Sequence, residues 1–155
     1  WSSDVCSSDL CNFLQATDRH ELQFRINGNC SEVLLDEQIF RQVVGNLLSN
    51  AIKYSPDGGP VMLEAWCEDQ RVRVACTDAG LGIPEIGRDR LFEPFHRFDN
   101  VGAISGTGLG LAIIKRAVAS HGGTITCESQ EGAGTTFRVT LPQGLDTPII
   151  GQLLH

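Results

Sequence analysis

Apolar residues recur along this chain with two different periods, which predict helices in some segments and strands in others. Between residues 36 and 54 they recur every three to four positions, as in an amphipathic helix. Asp36 is a suitable N-cap, and the run Ser55–Gly59 ends the pattern. A second helix is predicted from 108 to 121, where a glycine pair follows.

Strands are predicted where apolar and polar residues alternate. They span residues 20–26, 32–35, 60–68, 71–78, 124–129 and 135–141. The first two are expected to flank a turn at Asn27-Gly28-Asn29, and the third and fourth to form a hairpin. The stretch 79–107, rich in glycine and aromatic residues, is predicted to be irregular. Together these elements indicate an α+β fold, a mixed, largely antiparallel sheet with helices on one face.

Length and composition indicate one globular domain. The 155 residues favour a single core, and 41% hydrophobic and 20% charged residues are ordinary for a globular protein. Residues 1–10 contain Ser-Ser-Asp twice and fit neither period. We therefore expect a leader or linker at 1–17, the domain at 18–142 and a tail at 143–155.

Charge and hydropathy disfavour two classes of partner. The net charge of −7 argues against a general nucleic-acid role, since binding to phosphate backbones needs basic residues. No apolar run is long enough to span a bilayer, so we expect a soluble, cytoplasmic segment without direct membrane contact.

The six cysteines form no C-x-x-C pair, which argues against a zinc site. Cys67 and Cys76, in predicted strands, are expected to be reduced core residues.

Four polar residues lie along one side of the first predicted helix. Asn46, Asn50, Lys53 and Tyr54 have the spacing i, i+4, i+7 and i+8. Amide oxygens suit a hard cation such as magnesium, lysine supplies a point charge for phosphate, and tyrosine offers a ring with a polar tip. The alternative is a pair of half-buried amides satisfied by neighbouring backbone, beside a solvated lysine.

An acidic residue leads into a glycine turn at the end of an apolar strand. The Asp78 carboxylate can accept a hydrogen bond from an exocyclic amine, which adenine has and guanine lacks at that position. Gly80 and Gly82 would let the backbone turn and approach a flat base. A plain Asp-Ala-Gly turn is the alternative interpretation.

A second glycine cluster, Gly106-Thr107-Gly108-Leu109-Gly110, precedes the second helix. Backbone N–H groups and the helix dipole favour an anion there. A dinucleotide fingerprint fits less well, because its G-x-G-x-x-G spacing is absent and no strand directly precedes the cluster. Between the glycine loops, residues 91–99 contain three phenylalanines, which suit a mobile lid, a docking face or a satellite hydrophobic cluster.

In order along the chain, these segments resemble the N, G1, F and G2 boxes of the ATP-binding catalytic domain of sensor histidine kinases, in the gyrase/Hsp90/histidine kinase/MutL superfamily. The matching segments are Asn46–Pro56, Asp78–Pro84, Phe92–Phe95 and Gly106–Leu111, with a last glycine–threonine element at Gly132–Thr136. The resemblance covers residues 18–142. It implies the Bergerat fold, a two-layer α+β sandwich that binds ATP and Mg²⁺.

The resemblance also implies roles for individual residues. Asn50 would hold magnesium with Asn46 assisting, and Lys53 would contact phosphate. Asp78 would accept a hydrogen bond from the adenine amine. The other implied nucleotide contacts are Tyr54, Gly80, Gly82, Arg97, Gly106, Thr107, Gly108, Leu109, Gly110 and Thr136.

Two departures from the superfamily pattern indicate the reaction. Asn46 stands where the hydrolases carry a glutamate, and an amide is no general base for water, which favours phosphoryl transfer. The His-Glu-x-x-x-Pro acceptor pattern is missing, since His20-Glu21 lies in a strand-like stretch. The resemblance thus implies a catalytic domain that phosphorylates a histidine on a separate dimerisation/phosphoacceptor domain. A response regulator would act downstream, and the parent protein could be anchored in the inner membrane.

Three other functions within the superfamily stay open. The chain could be an ATP-hydrolysing conformational switch, which Asn46 disfavours, or a non-catalytic nucleotide-gated binding module, which the intact polar set disfavours. It could also be an anti-sigma-type serine kinase, which the aromatic segment at 92–98 disfavours.

Overall fold

Five strands and two α-helices make up the described part of the chain. The computed structural model describes residues 20–28, 35–68, 70–94 and 110–142. The elements are β1 (His20–Gly28), α1 (Glu37–Lys53), β2 (Gly59–Glu68), β3 (Arg71–Asp78), α2 (Gly110–Ser120), β4 (Thr124–Gln130) and β5 (Gly134–Pro142). A single 3₁₀ turn, Arg88–Arg90, interrupts the irregular stretch after β3. Within the described residues, no helix is long and apolar enough to cross a bilayer.

The strands form one mixed sheet in the order β1-β2-β3-β5-β4. β1 and β2 are parallel, and α1 supplies the crossover connection that a parallel pair requires. The other three pairs are antiparallel, including the β2–β3 hairpin. The predicted mixed, largely antiparallel sheet is confirmed, as is the hairpin.

The hydrophobic core lies between the sheet and the two helices. Alternate strand residues point into it, and both helices contribute their apolar faces. The buried cluster comprises Phe40, Val43, Val44, Leu47, Leu48, Ala51, Val61, Leu63, Cys67, Val72, Val74, Cys76, Leu91, Ile114, Val118, Phe137, Val139 and Leu141. Within each strand, the buried members of the cluster are an even number of residues apart, so their side chains point to one face of the sheet. Both helices cover this same face, and the predicted two-layer arrangement is confirmed.

The first strand is longer than its sequence predicts. Asn27 and Gly28 continue β1, opposite Trp66 and Cys67 of β2, so the turn predicted at these two positions is wrong. Parallel pairing with β2 along the whole of β1 outweighs the local turn preference of the two residues. The predicted strand at 32–35 falls largely outside the described residues, and Leu35, its last position, lies ahead of α1 without being part of a strand.

One cysteine differs from expectation. Cys67 is buried and disulfide-bonded, so the prediction that it is reduced is wrong. Its partner is not among the described residues. A buried strand position accommodates a disulfide as readily as a thiol when a second sulfur lies within reach. Cys76 and Cys127 are free cysteines.

Side-chain and backbone hydrogen bonds set both ends of α1. The Asp36 carboxylate accepts from the backbone N–H of Gln38 at 2.9 Å and of Ile39 at 3.4 Å, which confirms the predicted N-cap. At the other end, the Tyr54 N–H donates to the Asn50 carbonyl at 2.9 Å. The Tyr54 carbonyl accepts from the Leu81 N–H, so the helix ends close to the loop that follows Asp78.

Gly45 offers a stabilising substitution in the middle of α1. A Cβ at this position would meet nothing within 4 Å. Because glycine loses more backbone entropy than alanine, Gly45→Ala should raise the free energy of unfolding by about 0.5–1 kcal/mol. Urea unfolding measures the change. Gly132→Ala is the matched control, since it also has open space but a φ of +83°, and should destabilise the domain. A lower unfolding midpoint for Gly45→Ala would contradict the prediction.

Candidate functional site

Two amides of α1 face the first residue of α2. A Cβ placed on Gly110 would lie 3.7 Å from Asn46 Oδ1 and 3.8 Å from Asn50 Oδ1. The Asn46 Nδ2 donates to the Gln42 carbonyl at 2.9 Å, so its oxygen is left for another partner. The structure thus brings Asn46, Asn50 and Gly110 together, although they come from two separated sequence segments.

This corner of the molecule suits an anion accompanied by a hard cation. The first turn of α2 carries no acidic residue, so no side chain of that turn offsets the positive end of the helix dipole. Asn46 and Asn50 add amide oxygens, which fit Mg²⁺ when it also binds phosphate oxygens and water. Among the described residues, no group of three or more His, Cys, Asp or Glu side chains could hold a metal. Asn46 and Asn50 stay the predicted metal ligands.

Lys53 and Tyr54 extend the polar side of α1 toward its C-terminal end. Both side chains are half-buried, and the Lys53 Nζ lies 5.8 Å from the Tyr54 ring centroid. Lys53 follows Asn50 by three positions, so the two share a side of the helix. The Tyr54 carbonyl accepts from the Leu81 N–H at 3.0 Å, which ties this end of α1 to the loop after Asp78.

Asp78 is the last residue of β3 and points to the helix-covered side of the sheet. It has the same parity as the core residues Val74 and Cys76. Its carboxylate accepts from the Gly80 N–H at 2.9 Å and from the Thr135 N–H. Burial raises the pKa of Asp78, and these two donors act in the opposite direction. A carboxylate can accept about four hydrogen bonds, so capacity is left for an amine donor.

The thiols near Asp78 are unreactive. Burial, and to a smaller extent the Asp78 charge, raises the pKa of Cys76 to about 12. Burial is also the largest cause that raises the pKa of Cys127, to about 11. Both groups are therefore protonated at neutral pH, and neither is a nucleophile or a metal ligand in this state.

Hydrogen bonds join the loop after Asp78 to its neighbours on both sides. Besides the bond from Leu81 to the end of α1, the Gly132 N–H donates to the Leu81 carbonyl at 2.7 Å. The Ile83 N–H donates to the Ser129 Oγ at 2.8 Å. The loop is thereby held between α1 and the β4–β5 turn.

Both predicted loop glycines pack against protein backbone. A Cβ at Gly80 would overlap the Tyr54 carbonyl oxygen, and one at Gly82 would overlap the Gln130 carbonyl oxygen. Gly82 also has a φ of +70°, which glycine adopts readily. Glycine is therefore required by packing within the protein. Their predicted approach to a flat base stays a prediction.

Thr135, not Thr136, lies beside Asp78. Side chains alternate between the two faces of a strand, and Thr136 points to the face away from the helices, where its hydroxyl bonds the Thr77 hydroxyl at 3.0 Å. The structure thus does not bring Thr136 to the site. Thr135 is 7% exposed and directly opposite Asp78 across the β3–β5 pair. Thr135 and the buried Phe137 are two positions apart in β5, so their side chains point to the same face of the sheet. This spacing can be read from the sequence.

Ser129 is a second residue near Asp78 that no sequence motif indicates. Its hydroxyl accepts from the Ile83 N–H, donates to the Gly134 carbonyl at 2.9 Å and lies 2.8 Å from the Thr135 hydroxyl. It therefore links the loop after Asp78 to the start of β5. Ser129 follows Cys127, which packs against the core, by two positions, so the sequence places this polar side chain on the same face of β4.

Several predicted site residues lie outside the described part of the chain. They are Arg97, Gly106, Thr107, Gly108 and Leu109. Of the aromatic segment, Leu91 is buried in the core and Phe92 packs partly buried against it. The Lys115 Nζ lies 5.0 Å from the Phe92 ring centroid, so this residue also contacts α2. Phe95 and Phe98 lie outside the described residues, so the lid, the docking face and the satellite cluster all stay predictions.

Gly80→Ala should destabilise the domain by about 1–3 kcal/mol, the range typical of overpacking. The added methyl would have to displace the backbone at Tyr54 and the Ser55 side chain. Urea unfolding of Gly80→Ala beside Gly45→Ala, the same change in open space, measures the packing effect. Equal stability of Gly80→Ala and the unmodified chain would show that the loop is not held as described.

Comparison with known proteins gives matches over most of the chain. Residues 35–145 match a family described as histidine kinase-, DNA gyrase B-, and HSP90-like ATPase. The chain is 42% identical over 113 residues to the sensor-like histidine kinase SenX3 of Mycolicibacterium smegmatis, covering 72% of this chain and 29% of that protein. It is 42% identical over 114 residues to the sensor histidine kinase WalK of Bacillus subtilis, covering 71% and 19%. It thus spans less than a third of either relative.

Solved structures share the fold. The chain is similar to the mycobacterial sensor histidine kinase MprB, with a TM-score of 0.78 and 30% identity over 91% of this chain and 95% of that one. It is also similar to full-length ShkA in complex with AMPPNP, with a TM-score of 0.74 and 30% identity, covering 90% of this chain and 29% of that one.

Proposed function

Since this chain belongs to the family of histidine kinase-, DNA gyrase B- and HSP90-like ATPases, we propose that it binds Mg-ATP and phosphorylates a histidine on a separate domain. The proposal is carried by the meeting of Asn46 and Asn50 with the N-terminus of α2. Oxygen ligands and a helix N-terminus together suit a metal-bound polyphosphate. The sensor histidine kinases among its relatives support the class of reaction.

The nucleotide is proposed to extend between two ends of the site. Asp78, ordered by Gly80 and Thr135, would accept a hydrogen bond from the adenine amine. The phosphates would lie at the N-terminus of α2, with Lys53 as their counter-charge. Tyr54 would line the space between the two ends. Arg97 and the run 106–109 are proposed as further contacts on the basis of family resemblance.

The metal site is proposed at Asn50, with Asn46 assisting. Bound Mg²⁺ would neutralise charge that develops on the β- and γ-phosphate oxygens during transfer. Asn50 would fix the position of the γ-phosphate relative to α2. Asn46 donates to Gln42, which orients its amide, and an amide takes no proton from water. The site is therefore suited to an incoming nucleophile more than to activation of water.

The acceptor in this proposal is a neutral imidazole nitrogen from a dimerisation/phosphoacceptor domain. Its lone pair forms the N–P bond as the bond between the γ-phosphorus and its bridging oxygen breaks, and ADP leaves. The chain's contribution is to hold the γ-phosphate in line and stabilise its charge. A conformational switch driven by hydrolysis would need a general base where Asn46 stands.

The parent protein is proposed from its relatives, since the chain covers only 29% and 19% of the two curated ones. We propose that residues 18–142 form the catalytic domain, on the cytoplasmic side of a membrane. The domain would act on a dimerisation/phosphoacceptor domain of the same protein, and a response regulator would receive the phosphoryl group.

A labelling experiment in trans tests the proposed function. The chain is incubated with Mg²⁺ and γ-labelled ATP, alone and with the dimerisation/phosphoacceptor domain produced from the parent gene. We expect acid-labile label on the added domain, and none when its acceptor histidine is replaced by alanine. Rapid phosphate release by the chain alone, or label on the chain itself, would contradict the proposal.

A further inference from the structure

We propose that His20, the first residue of β1, is a positioning residue that holds the Asp78 loop in place for nucleotide binding. The inference rests on the proposed function, because it concerns the carboxylate that would accept from the adenine amine. The His20 Nε2 lies 2.8 Å from the carbonyl oxygen of Ser55. His20 therefore acts on the loop through the residue that follows Tyr54 at the end of α1.

The hydrogen bond between His20 and Ser55 has a defined direction. A carbonyl oxygen only accepts, so the His20 Nε2 carries the hydrogen and donates it to Ser55. The other ring nitrogen, Nδ1, is buried and has no hydrogen-bond partner among the described residues. A buried polar atom without a partner costs free energy that an apolar side chain would avoid. The donor at Nε2 is therefore what distinguishes histidine from an apolar residue at this position.

Pairing of β1 with β2 brings His20 to Ser55. His20 lies opposite Gly59, the first residue of β2, in the parallel pair. Ser55 lies in the turn that joins α1 to β2. Its carbonyl also accepts from the Gly58 N–H at 2.9 Å, so both lone pairs of the oxygen are used. His20 thus fixes this turn from the adjacent strand.

The turn that His20 holds packs directly against the loop after Asp78. Ser55 is 2% exposed, and its hydroxyl is buried without a hydrogen-bond partner in the described part of the chain. A Cβ on Gly80 would lie 2.5 Å from this hydroxyl oxygen. The Gly80 N–H in turn donates to the Asp78 carboxylate at 2.9 Å. A shift of Ser55 would therefore be transmitted to the proposed acceptor of the adenine amine.

The turn and the loop also border a cavity. It has a volume of about 400 Å³ and is lined by residues 55–58 and 79–81, with Glu131 and Gly132. Atoms that line a void lack packing partners on that side, so packing restrains both segments less there than in the core. The hydrogen bond from His20 supplies a restraint from β1 that packing at the cavity does not.

Calorimetric titration of Mg-ATP against variants of the full chain tests the proposal. His20→Ala removes the donor, and the affinity for ATP should fall about three- to tenfold, which corresponds to the loss of one hydrogen bond. His20→Gln places an NH₂ group near the position of Nε2 and should bind ATP within about twofold of the unmodified chain. His20→Asn carries the same amide on a shorter side chain and should bind as weakly as His20→Ala. Equal affinities of the glutamine and alanine variants would overturn the proposal.

Gly28→Ala, at the opposite end of β1, is the control for a general loss of stability. Gly28 has a φ of +83°, and an added Cβ would overlap the Cys67 carbonyl oxygen. The substitution should lower the thermal unfolding midpoint. At a temperature at which the variant is folded, its affinity for ATP should stay within about twofold of the unmodified value. A loss of affinity equal to that of His20→Ala would show that His20 contributes only to stability.

Amide hydrogen exchange in the nucleotide-free chain tests the position of the loop separately from the proposed function. The Leu81 N–H donates to the Tyr54 carbonyl at 3.0 Å, and the Gly58 N–H donates to that of Ser55. Both should exchange about three- to tenfold faster in His20→Ala and at the unmodified rate in His20→Gln. Unchanged exchange in His20→Ala would overturn the positioning role even where ATP binds. Absence of ATP binding by the unmodified chain would instead contradict the proposed function, and exchange alone would then decide whether His20 positions the loop.

Discussion

Replacing Asp78 with asparagine should weaken ATP binding by roughly ten- to hundredfold and remove most of the preference for ATP over GTP. A hydrogen bond to a charged acceptor contributes about 1.5–3 kcal/mol, and each 1.4 kcal/mol is tenfold in affinity. The Asp78 carboxylate is partly buried and accepts from the backbone N–H groups of Gly80 and Thr135. Asparagine has only one acceptor oxygen, so its NH₂ group would face one of these donors or the adenine amine.

Isothermal titration of ATP and GTP against three proteins measures this effect. They are the unmodified chain, Asp78→Asn and the control Asp89→Asn, an exposed aspartate in the 3₁₀ turn. The control should retain both affinities. Equal affinity of the unmodified chain for ATP and GTP, or unchanged ATP binding by Asp78→Asn, would exclude Asp78 as the adenine acceptor.

Local sequence pattern predicted most of the fold, because its elements have strong periods. The alternation in β2, β3, β4 and β5 and the helical period of α1 each place one apolar face toward the same core. Residue type alone predicts Asp36 as an N-cap. The turn predicted at Asn27 and Gly28 is wrong because the length of β1 depends on its pairing with β2, a contact between distant segments.

Site residues on a single element could be predicted from the sequence, whereas contacts between two elements could not. Helical spacing put Asn46 and Asn50 on one side of α1, but their proximity to Gly110 depends on how α1 packs on α2. Thr136 is the predicted contact, whereas the structure places Thr135 beside Asp78, because a shift of one residue moves a strand side chain to the other face of the sheet. Strand parity indicates Thr135 as the threonine on the Asp78 side.

Packing also explains features that sequence alone assigned to ligand binding. Glycine at positions 80 and 82 is required by contacts with the Tyr54 and Gln130 carbonyl groups, whether or not a base binds. The Cys67 disulfide could not be predicted, because strand burial is compatible with either oxidation state. The glycine requirement and the disulfide both depend on which segments of the chain are neighbours in the folded structure.

Asn50→Ala should reduce phosphorylation of the added dimerisation/phosphoacceptor domain by at least about a hundredfold, since removal of one group that positions charge in the transition state typically costs this much. Asn50 Oδ1 lies at the N-terminus of α2, where the γ-phosphate and its metal are proposed to bind. Asn46→Ala should have a smaller effect, because Asn46 is proposed only to assist. Initial rates of acid-labile labelling measure both.

Ser49→Ala is the matched control, since Ser49 is exposed and adjacent to Asn50 in sequence but on another side of α1. It should label the acceptor domain at the unmodified rate. If Asn50 acts through the metal, raising the Mg²⁺ concentration should restore part of the Asn50→Ala rate, because weaker metal binding is offset by mass action. Labelling by Asn50→Ala at the unmodified rate, or a loss of rate that does not respond to Mg²⁺, would rule out Asn50 as the metal ligand.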